Sequence, residues 1–147
     1  MIDLLPILRK FIIDDPSVTA NLTTYDNSKA VFTRRPVPED AKYPFIIINP
    51  QSVDLDRDFL DLAFRDVVHN VIVYGQNDTS DHYRQVEETA FLIKNKFLRL
   101  TRTDLTLPTG FDFVRANSIG PFPAPTDDET KIGRAVSVTI SYNKVEN

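Results

Sequence analysis

The clearest pattern of hydrophobic and polar positions lies between residues 80 and 100. Apolar side chains recur there every three or four residues and charged side chains fall largely between them, which predicts an amphipathic helix of about five turns. Phe91 and Leu98 form a second apolar stripe that either widens the core face or contacts another subunit. The stripe expected to face the core consists of Tyr83, Val86, Ala90, Ile93, Phe97 and Leu100.

A shorter helix is predicted at the N-terminus. Apolar residues follow helical spacing from Leu4 onwards, and Pro6 is acceptable in a first turn, where the backbone N–H has no partner. Pro16 ends the helix, because the residue before a proline is pushed out of the helical region. Asp3 and Pro6 do not fit the basic start and apolar run of a signal peptide, so we expect the chain to remain in the cytoplasm, at least at first.

Strand patterns occupy much of the remaining chain. Residues 43–49 are almost wholly apolar, which favours a strand buried on both faces. Residues 52–74 alternate between two sets of side chains, which predicts a long hairpin with its turn near residues 60–62. Residues 135–142 predict a half-buried strand with Val136, Val138, Ile140 and Tyr142 on one face. Shorter strands are predicted at residues 30–33, 104–107 and 110–114.

Between the last two strands, the chain has no periodicity. Residues 120–130 combine three prolines with an acidic run, so we expect a long irregular loop at about 115–134 that becomes ordered when a partner binds. No internal repeat or domain boundary interrupts the chain, and we expect a single domain over residues 1–147. The predicted fold class is α+β, with one mainly antiparallel sheet, the 80–100 helix packed on one face and a short N-terminal helix.

Composition excludes several classes of function. The chain has 147 residues, of which 41% are hydrophobic, and this is enough to bury a core without disulfides. It contains no cysteine, which rules out thiolate nucleophiles and zinc ribbons, and its two histidines, His69 and His82, cannot build a multi-histidine metal cage. The net charge of −4 argues against an extensive nucleic-acid-binding surface. No stretch approaches the roughly 18 consecutive apolar residues of a membrane span.

An acidic row is the strongest candidate for metal chemistry. Asp54, Asp56 and Asp58 resemble the opening of a calcium-binding loop, but such a loop needs a glycine and a glutamate where this chain has Phe59 and Arg65. On a strand the three aspartates form an acidic face. We therefore interpret them as a solvated or interface face, with a divalent-cation site as the weaker alternative.

No other motif supports catalysis or cofactor binding. The chain has only four glycines and lacks the Gly-x-Ser-x-Gly, Gly-x-Gly-x-x-Gly and Walker A patterns, so we expect no enzyme activity and no cofactor. His69 lies in the middle of a strand and is interpreted as structural or interfacial, and His82 as a capping or surface residue. The basic pair Arg34 and Arg35 is too small to indicate sequence-specific nucleic-acid binding. The residues expected at interfaces are Arg34, Arg35, Asp54, Asp56, Asp58, Asp127 and Asp128.

The order of elements resembles that of a known family. The N-terminal helix leads to a strand at 30–32, a linker with prolines and acids, a buried strand at 43–48, a hairpin ending at 69–74, the long helix, residues 110–113, a loop and a last strand at 136–142. This arrangement resembles the tail terminator, or tail completion, proteins of long-tailed bacteriophages and gene transfer agents. The resemblance covers nearly the whole chain.

The resemblance implies a structural role in a virion, at the head-proximal end of the tail. Proteins of this family form hexameric rings that sit on the last ring of tail-tube subunits, stop tube polymerisation and present a surface to the head connector. The partners implied are further copies of the chain, the tail tube protein and the head connector protein. Two alternatives remain, namely another head–tail joining or minor tail protein, and a small enzyme or ligand-binding domain built around the acidic row.

Overall fold

In the computed structural model, the described residues are 2–50, 53–59, 62–76, 80–126 and 129–145, with the backbone alone described for 53–59, 62–64 and 80. The elements are α1 (Leu5–Ile13), α2 (Pro16–Thr19), β1 (Thr24–Tyr25), β2 (Ser28–Lys29), β3 (Val31–Phe32), β4 (Phe45–Ile48), β5 (Val53–Phe59), β6 (Leu62–Gln76), α3 (Ser80–Leu98), β7 (Phe111–Pro123) and β8 (Lys131–Lys144).

The main sheet has six strands and is mainly antiparallel. Its order is β3-β4-β6-β8-β7, and β5 also pairs with β6. Only β3 and β4 run parallel within it, while the remaining pairs are antiparallel. This arrangement, with α3 packed against the sheet, confirms the predicted α+β class.

Helix α3 covers one face of the sheet and supplies much of the core. It contacts β6, β7 and β8, and its side chains Val86, Ala90, Ile93 and Phe97 are fully buried. On β8, Val136, Val138, Ile140 and Tyr142 are buried in the same core, as the alternation predicts. Helix α1 adds Leu8 and Ile12 to this cluster.

The predicted loop at 115–134 is wrong over most of its length. Strand β7 continues to Pro123 and β8 begins at Lys131, so residues 115–123 and 131–134 of the predicted loop belong to strands. The alternation in β7 is broken by shifts of register between Phe113 and Arg115 and between Ile119 and Phe122. An added residue at such a bulge moves the following side chains to the other face, which hides the strand from a period-two pattern.

Residues 104–107 do not form the predicted strand. The Asp104 carboxylate accepts hydrogen bonds from the backbone N–H and the hydroxyl of Thr101, at 2.6 and 2.9 Å. Side-chain bonds of this kind stabilise a turn in place of a strand. The segment therefore connects α3 to β7 as a turn.

Asp15 holds the two N-terminal helices against α3. Its carboxylate accepts hydrogen bonds from the backbone N–H and hydroxyl of Ser17, at 3.0 and 2.6 Å, and therefore caps α2. The same carboxylate forms an ion pair with Lys96 of α3 at 2.9 Å. The side-chain hydrogen bond from Ser17, followed by that from Lys96, lowers the pKa of Asp15 from 3.8 to about 2.

We expect Asp15→Ala to lower the free energy of unfolding at pH 7 by about 1–2 kcal/mol, because a cap and an ion pair are both lost. The folded pKa lies below the unfolded one, so this stabilisation is complete above about pH 4 and falls by about half near pH 3. Urea unfolding of both proteins between pH 7 and pH 3 measures the difference. If the difference in free energy of unfolding between the two proteins stayed constant down to pH 3, the contacts assigned to the ionised Asp15 carboxylate would be contradicted.

Candidate interaction surfaces

The basic pair predicted at an interface separates onto two surfaces. Arg34 and Arg35 are both exposed. Arg35 borders a groove of about 660 Å³, whereas Arg34 borders a different cavity of about 360 Å³ beside α1 and the β1–β2 hairpin. The two side chains therefore do not act as one basic cluster.

The structure does not describe the side chains of the five acidic candidates. The backbone of β5 carries Asp54, Asp56 and Asp58 and pairs with β6, as the hairpin prediction requires. Asp127 and Asp128, like the predicted turn residues 60 and 61, are outside the described residues. The five aspartates remain interface predictions.

The groove bordered by Arg35 lies on the sheet face opposite α3. Its floor is formed by Phe45 and Ile47 of β4 and by Tyr74 of β6, which lie on neighbouring strands, with Phe45 directly opposite Tyr74. Aromatic rings run along this floor, with centroid distances of 4.6 Å between Tyr43 and Phe45 and 5.9 Å between Phe45 and Tyr74. The remaining lining residues are Arg35, Pro36, Val37, Pro125 and Lys131. We call this site the sheet-face groove.

Two cations stand over aromatic rings of the sheet-face groove. The Lys131 Nζ atom is 4.6 Å from the centroid of the Tyr43 ring, and the Arg35 Cζ atom is 6.0 Å from that of Tyr74. Arg35 also donates hydrogen bonds to the Asn49 side-chain oxygen at 3.2 Å and to the Tyr74 hydroxyl at 3.4 Å. Cation–π contact and these neutral acceptors fix both side chains without neutralising their charge.

Gly133 of β8 allows Tyr74 to lie across the neighbouring strand. A Cβ atom at position 133 would come within 2.9 Å of the Tyr74 ring and 3.1 Å of the Ala124 Cβ atom. Contacts under 3.0 Å require a neighbour to move. The absence of a side chain at this position thus helps to shape the floor of the groove.

A second surface follows β7 and the adjoining side of α3. Among the described residues β7 pairs only with β8, so its outer edge is unpaired over a strand of 13 residues. On α3, Phe91 and Leu98 are 55% and 47% exposed. Phe91 lies one turn after Glu87, whose carboxylate pairs with Arg134 of β8. Leu98 lies one turn after Lys94, whose carbonyl oxygen accepts a hydrogen bond from the Ser118 hydroxyl of β7. We call the exposed apolar residues along this edge the β7 border; Phe91 and Leu98 lie on its α3 side, whereas Ile119 and Phe122, which pair with Ser137 and Ala135, lie on the sheet face away from α3, and Val114 lies at a break in the register.

Sequence reasoning found only part of the β7 border. The second apolar stripe in the sequence identifies Phe91 and Leu98, and their exposure contradicts the alternative in which they widen the core face; a contact with another subunit stays a prediction. Ile119 and Phe122 were missed because residues 115–134 were interpreted as a loop. The apolar residues that recur between Val114 and Phe122 were the available signal, but the bulges displace them from strict alternation.

Both histidines have structural contacts. His69 is buried, and its Nδ1 atom donates to the carbonyl oxygen of Asn49 at 2.9 Å, which ties β6 to the chain after β4. Burial lowers the pKa of His69, so the ring is neutral at pH 7. His82 accepts a hydrogen bond from the backbone N–H of Gln76 at 3.2 Å, which joins the first turn of α3 to the end of β6.

Metal binding finds no support in the part of the chain that the structure describes. No group of three or more His, Asp or Glu side chains is placed there to hold an ion. None of the described helices is long and apolar enough to cross a membrane.

Comparison with known proteins gives a match of fold. No family model and no curated protein sequence matches this chain. A solved structure of the virion of a native gene transfer agent particle contains a chain that superimposes with a TM-score of 0.74 at 13% sequence identity. The match covers 96% of this chain and 95% of that one. The protein therefore shares its complete fold with a chain of a gene transfer agent virion.

Proposed function

We propose that this protein is a structural virion protein that terminates the tail tube of a long-tailed phage or phage-like particle. The observation that carries the proposal is the fold match over nearly the whole length of both chains, to a chain found in the virion of a gene transfer agent. The order of elements independently resembles that of tail terminators. In this role the protein binds the last ring of tube subunits, stops polymerisation and forms the docking surface for the head connector.

The proposed working form is a closed ring of six copies. Head-to-tail contacts between identical subunits generate a ring when the rotation closes, and a ring matches the end of a cylindrical tube. The β7 border supports this proposal, because a long unpaired strand edge flanked by exposed apolar side chains is a surface that proteins normally cover. We propose that a neighbouring copy covers it.

Electron microscopy of the purified protein mixed with tail tubes tests the function. We expect six-fold rings at one end of each tube, and tubes that stop growing at that end when free tube subunits are added. Deletion of the gene should give tubes of unregulated length. Tubes that continue to grow in the presence of the protein would contradict the terminator role, and binding only to head connectors would indicate the head–tail joining alternative.

A further inference from the structure

The sheet-face groove holds two positive charges that the described residues do not neutralise. Lys131 contacts the Tyr43 ring, and Arg35 contacts Tyr74 and the neutral Asn49 side chain, but neither cation has a carboxylate partner among the described residues. The ion pairs described for other cations, such as those of Lys96 and Arg134, join them to Asp15 and Glu87. In a protein with a net charge of −4, this groove is a local site for negative charge.

The space between these cations suits an apolar side chain. Phe45 and Ile47 at the bottom of the groove are only 5% and 3% exposed, so the apolar surface that a ligand can touch comes mainly from the partly buried side chains packed over them, Val37, Tyr43 and Tyr74. Pro36 and Pro125 line the groove and have no backbone N–H to donate to a ligand. These two residues therefore offer a ligand apolar surface, and the charged contacts come from Arg35 and Lys131.

We propose that the sheet-face groove binds an extended acidic segment of a neighbouring particle protein, with carboxylates at Arg35 and Lys131 and an apolar side chain between them against the aromatic and apolar lining of the groove. The inference rests on the proposed virion role in one respect, which is that the acidic segment belongs to another protein of the particle. An extended chain places every second side chain on one face, so the two carboxylates and the apolar side chain between them reach the groove together when they are spaced two residues apart, as acidic-x-apolar-x-acidic. Complementary charge of this kind fixes the register and orientation of the segment.

The same observations disfavour nucleic acid as the occupant. Binding of single strands relies on free aromatic faces on which bases stack, together with a basic track along the backbone. Here Lys131 and Arg35 already stand over the rings of Tyr43 and Tyr74. Two cations are also few for a phosphate backbone, whose binding strength grows with the number of charges neutralised.

The test is an NMR titration of the isotope-labelled full chain with the blocked peptide acetyl-Asp-Ser-Leu-Ser-Asp-amide, whose two aspartates and leucine share one face when the peptide is extended. We expect the largest shifts at Tyr43, Phe45, Tyr74 and Lys131, and binding that weakens as salt is added. Arg35→Glu and Lys131→Glu should each weaken binding about tenfold or more, because each removes a charge-assisted contact.

The chain offers a matched control for each charge reversal. Arg34→Glu makes the same change at the adjacent residue, which borders the other cavity, and should bind the peptide like the unchanged protein. Lys144→Glu does so at the exposed far end of β8. Equal loss of binding in the controls would overturn the proposal, because the effect would then reflect net charge alone.

Four further outcomes would also overturn the proposal. The first two are the absence of groove shifts with the acidic peptide and equal binding of the neutral peptide acetyl-Asn-Ser-Leu-Ser-Asn-amide. The third is tighter binding of an oligothymidylate at the same residues, and the fourth is groove shifts that follow protein concentration and do not respond to the peptide. The third would assign the groove to nucleic acid and the fourth to a second copy of the chain.

The titration is independent of the tube-capping assay. Loss of peptide binding in a protein that still caps tubes would refute the groove inference alone. Peptide binding by a protein that does not cap tubes would refute the terminator role alone.

Discussion

Phe97→Ala is expected to lower the free energy of unfolding by about 3–5 kcal/mol, and Ile93→Ala by about 2–5 kcal/mol. Both side chains are fully buried between α3 and the sheet. The Phe97 ring also packs against Phe11 of α1, with centroids 5.4 Å apart and planes at 57°, so its removal leaves a cavity where α3, α1 and the sheet meet. A loss of this size is a large share of the roughly 5–15 kcal/mol that stabilises a typical domain.

Phe91→Ala on the same helix is the matched control. Phe91 is 55% exposed, so its truncation should change the free energy of unfolding by no more than about 0.5 kcal/mol. Urea unfolding monitored by circular dichroism measures all three variants. Equal losses at Phe91 and Phe97 would show that the core-facing side of α3 has been assigned incorrectly.

Regular periodicity made much of the fold predictable. The three- and four-residue steps of α3 identified Val86, Ala90, Ile93 and Phe97 as buried, because a helix facing a sheet must concentrate apolar residues on one side. Tyr83 fits the same spacing but is 46% exposed. It lies in the first turn of α3, where the Cζ atom of Arg134 is 5.7 Å from the centroid of its ring. Arg134 is 51 positions further along the chain, so a local hydrophobic pattern does not reveal this contact.

Irregular and non-local features escaped prediction. The bulges of β7 break the period of two, and the turn at Asp104 depends on side-chain hydrogen bonds that a hydrophobic pattern does not contain. The sheet-face groove was also invisible as a site. Only Arg35 was a candidate, because Lys131, Tyr43 and Tyr74 come together through the pairing of β4, β6 and β8, which the sequence order does not show.

The ring proposed above predicts that the double variant Phe91→Gln/Leu98→Gln folds normally and loses ring assembly. Both side chains are about half exposed, and glutamine is a good helix former, so the monomer should keep its stability. In a ring contact the two apolar side chains would be removed from water, and truncation of buried aromatic anchors commonly costs 2 kcal/mol or more, about 30-fold in affinity. Binding to tube ends should therefore weaken by about 30-fold or more.

Co-sedimentation with preassembled tail tubes, together with mass measurement of the bound species, checks this result. Glu88→Ala is the control, because it truncates an exposed residue one turn from Phe91 whose ion pair with Arg84 is at the surface, and exposed charges contribute little to affinity. Wild-type assembly by the double variant would remove the α3 part of the β7 border, Phe91 and Leu98, from the proposed ring contact. The unpaired edge of β7, with Val114, Ile119 and Phe122, would then be the part of the border left for the proposed ring contact, since a long exposed strand edge is a surface that proteins normally cover.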